Sequence, residues 1–108
     1  LHADLRAKGA KIMLTSDEFG DQTSQFPSLV ARVIAETGLN PTEAIFRSTA
    51  LPAFALNISR ETGSIIPGKN ADLVLLEGDL LSDSQSLTRA TTVWKRGTIF
   101  TSGNEARP

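Results

Sequence analysis

Asp17 is one carboxylate to weigh for chemistry in this 108-residue chain. It follows a short apolar run, Ile12-Met13-Leu14, so a buried segment would deliver it to the surface at its end. A carboxylate there can bind a divalent cation or accept a proton from water. Taken alone, an aspartate in such a place is an ordinary turn or helix-capping residue. Glu18 lies beside it, but neighbours on an extended chain point to opposite faces, so the two would not converge on one proton or metal. His2 is the single histidine, there is no cysteine and no tyrosine, and a His-based triad or a self-contained zinc site cannot be built from one imidazole. His2 reads as a solvated residue at a helix end. Asp21, Asp79 and Asp83 are loop acids. Asp72 opens a strand just after a turn, and bonds to nearby backbone amides would account for it. Pro67-Gly68-Lys69-Asn70 lacks the spacing of a phosphate-binding loop and precedes a strand rather than a helix.

The elements that must position Asp17 follow from periodicity and punctuation. Leu1 to Lys8 has a short helical pattern, stopped by Gly9. Lys11 to Thr15 has the length and continuous apolarity of a strand buried on both faces, as in a parallel sheet. Phe26, Leu29, Val30, Val33 and Ile34 make an amphipathic stripe whose apolar face is core, with the helix ending near Thr37 at Gly38. Asn40-Pro41-Thr42-Glu43 starts the next helix, with Asn40 as cap, Pro41 in the first turn and Glu43 able to close a capping box. That helix reaches about Ser48, and Thr49 is expected to cap a further short turn through Leu56. Beyond residues 57–62 the grammar becomes β: an extended Gly63–Ile66, a type II turn at Pro67-Gly68, and strands at Asp72–Leu76, Thr91–Trp94 and Thr98–Thr101, the last two joined at Arg96-Gly97. Trp94 reads as a sandwich-facing or interface aromatic.

Composition bounds the partners. Net charge is −1 and the positive residues are scattered, which leaves no footprint for nucleic acid or an anionic membrane. No apolar stretch approaches the roughly 20 residues needed to span a bilayer. The chain starts in mid-helix without Met, as expected of a processed, truncated or excised piece. One buried strand cannot make a parallel sheet, so its neighbours are expected on another polypeptide segment or in the later β region.

Three segments and a closing hairpin, in this order and spacing, resemble the amidohydrolase superfamily, in the branch with imidazolonepropionase-like, prolidase-like and D-aminoacylase-like hydrolases. Ala10-Lys11-Ile12-Met13-Leu14-Thr15-Ser16-Asp17 is similar to the eighth barrel strand, which ends in an aspartate, with Ser16 where the family often has Thr. Asn40–Ile45 with Ser48–Ala53 is similar to the helices that follow it. Gly63-Ser64-Ile65-Ile66-Pro67-Gly68-Lys69-Asn70-Ala71-Asp72-Leu73-Val74 resembles the return to a small β-sandwich, and Val93–Ile99 its closing hairpin.

The resemblance implies an α/β plus β fold: residues 1–60 as the last β/α unit of a TIM-like barrel, and residues 61–108 as C-terminal strands of a composite β-sandwich domain. It implies a metal-dependent hydrolase of amide or cyclic amide C–N bonds, in which Asp17 binds a divalent metal, zinc first, and moves the proton of the attacking water. The metal-binding histidines of that family have no counterpart here. The chain alone is therefore expected to be inactive, with a missing N-terminal barrel segment as its partner and a small-molecule amide as the substrate of the complete enzyme. Expected localisation is cytoplasmic, with secreted or periplasmic locations also open. The alternative is a non-catalytic fragment or relic domain that self-associates through exposed strands; a small binding module would have to reproduce the signatures by chance. Substrate identity and the number of metals are not written in these residues.

Overall fold

The computed structural model describes residues 2–15, 25–101 and 106–107. Helix α1, His2–Ala7, closes when the Ala10 amide reaches back to the Leu5 carbonyl at 3.0 Å, with Gly9 in the left-handed conformation between them. Residues 10–15 then run without regular structure. The strand expected over Lys11 to Thr15 is not formed: a strand is a paired ladder, and none of the described residues pairs with it as one. Met13 is exposed, and Ile12 and Leu14 are half-buried, rather than enclosed on both faces.

Helix α2, Phe26–Thr37, forms where the apolar stripe places it, with Val30, Ala31 and Ile34 buried. The Gly38 amide ends it by donating to the Ile34 carbonyl at 3.0 Å. Helix α3, Pro41–Ser48, begins at Asn40, whose side-chain oxygen accepts the amides of Thr42 at 2.8 Å and Glu43 at 3.4 Å. Helix α4, Ala50–Ala55, follows at once. Thr49 stands at its N-cap position but makes no side-chain cap; its hydroxyl donates instead to the Ile45 carbonyl, one turn back in α3, at 2.6 Å.

The second half is an antiparallel meander in the order β1-β2-β3-β4: Leu73–Leu76, Ala90–Lys95, Thr98–Thr101 and Ala106–Arg107. Leu73 faces Trp94, Trp94 faces Ile99, and Lys95 faces Thr98. The β2–β3 turn has positive φ at both Arg96 (51°) and Gly97 (82°), the signature of a type I′ hairpin. The extended piece expected at Gly63–Ile66 forms no strand, Gly63 and Ser64 being bends and Ile65 and Ile66 without regular structure, and the turn at Pro67-Gly68 is closed by the Lys69 amide on the Ile66 carbonyl at 3.1 Å. Gly63 is needed for close approach: a Cβ there would lie 2.5 Å from the Ala53 Cβ, at a φ of +100°.

Between β1 and β2 a 3-10 turn, Ser84–Thr88, packs against α2. Its Leu87 joins Phe26, Leu14 and Val33 around the buried cluster Val30, Ile34, Leu39 and Ala44. One small core thus links the helical half to the β half.

Candidate functional site

Asp17, with Ser16, Glu18 and Asp21, lies outside the described residues. What the structure does show is how residues 12–14, a few positions ahead of it in the sequence, are held. The Leu14 amide donates to the Arg47 carbonyl at 3.1 Å. That carbonyl belongs to the last turn of α3, where no amide of the same helix remains to take it. The Arg47 guanidinium reaches the same segment, Nη1 donating to the Ile12 carbonyl at 3.0 Å. Its other face is neutralised within α3: Nη2 and Nε both donate to Glu43 Oε1, at 2.6 and 3.1 Å. Arg47 is buried, one of two buried polar or charged residues among those described. Burial of a guanidinium is tolerable only with a counter-charge and satisfied donors, and this arrangement supplies both. Glu43 stands four residues ahead of Arg47, the favourable helical order, so the ion pair was readable from spacing. Its bond to Ile12, 35 positions away, was not.

Beside this clamp lies an open groove of about 520 Å3, lined by Met13, Leu14, Thr15, Phe26, Ser48, Pro52 and Leu56. Its lining is mostly apolar. The Ser48 hydroxyl is turned into its own helix, donating to the Ala44 carbonyl at 2.7 Å, and is not poised as a nucleophile. Among the described residues no three His, Cys, Asp or Glu side chains come together as a metal-ligand group. The described part therefore does not itself fit a metal.

Asp72, Asp79 and Asp83 have structural partners. Asp72 accepts the Arg96 amide at 2.9 Å on one oxygen and the Thr62 hydroxyl at 2.8 Å on the other, as its place before a strand implied. These two bonds, helped by Lys95 at 3.8 Å, hold its carboxyl below the ordinary value. Asp83 caps the 3-10 turn through the Gln85 amide at 3.0 Å and takes Arg89 at 2.7 Å. The guanidinium, then the amide, lower its pKa too. Asp79 holds a local turn through the Leu81 amide at 2.9 Å. Trp94 is half-buried on β2.

The model of the amidohydrolase family matches residues 1–100. The chain belongs to the amidohydrolase family. Among curated proteins it is similar to an adenine deaminase of Rubrobacter xylanophilus, 33% identical over 82% of this chain and 15% of that one. It is also similar to an imidazolonepropionase of Streptomyces griseus, 34% identical over 82% of this chain and 24% of that one. Among solved structures, a Xaa-Pro dipeptidase superposes with a TM-score of 0.80 at 27% identity over 92% of this chain and 24% of its own. A putative prolidase from Bifidobacterium longum gives 0.79 at 27% identity, over 97% of this chain and 26% of its own. This amidohydrolase chain thus spans about a quarter or less of each of these relatives. Among its described residues no helix is long and apolar enough to cross a membrane.

Proposed function

We propose that this amidohydrolase chain is the C-terminal part of a metal-dependent hydrolase that cleaves amide or cyclic amide C–N bonds in a small-molecule substrate. The family match across residues 1–100 carries this reading. Relatives named imidazolonepropionase, and solved relatives named prolidase and Xaa-Pro dipeptidase, support the bond class. Residues 1–60 would supply the last β/α unit of a TIM-like barrel and residues 61–108 the closing strands of a β-sandwich. Asp17 would stand at a strand end, where such barrels gather their functional groups, and contribute one carboxylate to a divalent metal, zinc first. That residues 11–14 join no β-ladder among the described residues fits this reading, because a barrel strand has its ladder partners on other barrel strands.

A catalytic zinc generally takes three protein ligands. This chain by itself would be inactive, and the remaining ligands would come from a preceding N-terminal segment. The expected compartment is the cytoplasm. The test compares the 108 residues with the protein extended through that segment, by plasma-emission metal analysis and by turnover of a panel comprising an N-acyl amino acid, an Xaa-Pro dipeptide and a hydantoin. The extended protein should hold zinc and hydrolyse at least one member, Asp17→Asn should abolish turnover, and the short chain should do neither. Stoichiometric tight zinc on the short chain, or full activity of Asp17→Asn, would refute the assignment.

One observation favours a second reading, a non-catalytic piece that associates with itself. Strand β1 ends the sheet with its outer edge unpaired among the described residues, and Val74 and Leu75 on it are exposed. Light scattering during size exclusion would separate the two, since self-association predicts a dimer or larger species and a monomer at all concentrations contradicts it.

A further inference from the structure

We infer that Arg47 is a positioning residue: by gripping the backbone of residues 12–14 from the end of α3, it fixes the segment that precedes Asp17 in the chain. This deepens the reading of Asp17 as the site carboxylate and rests on it. Arg47 engages the segment twice, through its carbonyl to the Leu14 amide at 3.1 Å and through Nη1 to the Ile12 carbonyl at 3.0 Å. The two contacts lie two residues apart on the segment, as a strand neighbour's contacts would. One arginine thus performs on residues 12–14 what half a ladder does for an ordinary strand. The fork geometry is essential. Nε and Nη2 are committed to Glu43, which fixes the guanidinium plane, and the remaining nitrogen is aimed at Ile12. Because the pair sits within α3, whose start is fixed by the Asn40 cap, the position of residues 12–14 is referred to a capped helix rather than to a loop.

A short segment with one end near α1 would otherwise wander by more than the fraction of an ångström that a functional carboxylate tolerates. Arg47 need not touch substrate or metal to matter for either.

The experiment uses the protein at its full natural length. Amide exchange is followed by mass spectrometry in the peptide covering residues 11–15 and in that covering α2, for the parent, Arg47→Met and Arg47→Lys. Losing one charge-assisted bond should speed exchange of residues 11–15 on the order of tenfold in Arg47→Met while α2 changes little. Arg47→Lys retains a charge but not the fork, so it should fall between. On whichever panel amide is turned over, kcat should drop about 10–100-fold in Arg47→Met with KM nearly unchanged, and partly recover in Arg47→Lys. Unchanged exchange at residues 11–15, or equal acceleration there and in α2, would overturn the inference. If Arg47→Met fails to fold, Glu43→Gln, which keeps an acceptor but frees the guanidinium, should give a smaller selective acceleration, and no selective change there would equally overturn it. Asp17→Asn is run in parallel. Should it keep full turnover, the site reading fails while the exchange data still judge the clamp; should it abolish turnover while Arg47→Met leaves kcat and exchange intact, only the clamp fails.

Discussion

The Arg47 side chain is 9% exposed and that of Glu43 36%, and this asymmetry sets what each substitution costs. Removing the acid strands a buried cation; removing the cation leaves a carboxylate that water can reach. Glu43→Ala should therefore destabilise by about 2–3 kcal/mol, somewhat below the cost of breaking a fully buried pair. Arg47→Met, which refills the space, should cost about 1 kcal/mol. Urea unfolding of the two variants checks the order as well as the size. Asp72 gives a pH prediction. Its pKa is lowered in the folded state by the Arg96 amide and the Thr62 hydroxyl. Stability from these bonds is thus complete above the ordinary carboxylate range and drains as pH falls through the lowered value. The thermal midpoint of the parent should decline on acidification below about pH 4, and Asp72→Asn should flatten that decline. The role of Asp72 was legible because a strand-opening acid after a turn has few other uses. The burial of Arg47 was not, since its deciding partner comes from a segment with no contact signal in sequence.

At the scale of elements, what was readable was what is local. The α2 stripe, the Asn40 cap, the Pro67-Gly68 turn and the Arg96-Gly97 hairpin each depend on residues within a few positions of one another, and each forms where those residues put it. Residues 11–15 have the composition of a strand, yet pairing is decided by a neighbour and not by propensity. Thr49 failed as a side-chain cap because an open carbonyl one turn back, that of Ile45, was within reach of its hydroxyl. The 3-10 turn at Ser84–Thr88 carries too few apolar residues to announce itself, and it is ordered by Asp83 and by contact with α2. Two substitutions test the local logic. Asn40→Ala should cost about 1 kcal/mol by freeing two amides at the start of α3. Gly63→Ala should cost more, about 2 kcal/mol, because its Cβ would drive against Ala53 where α4 and the return loop have no slack. Thermal melts of both variants against the parent measure the difference.

The whole molecule is spread thin. Its radius of gyration is 14.4 Å, whereas a chain of this length packed as a typical domain has about 13 Å. Among the described residues seven apolar ones are buried, three of them alanines, while Phe54, Leu56 and Ile65 stand exposed. Of the proposed site the sequence names a single carboxylate, Asp17, and that residue lies outside the described ones. The margin of β1, uncovered among the described residues, has a practical consequence for anyone handling the 108 residues in isolation. Concentrated solutions should grow turbid on warming at a rate that climbs steeply with dose, and Val74→Lys, a charged gatekeeper on that margin, should keep them clear.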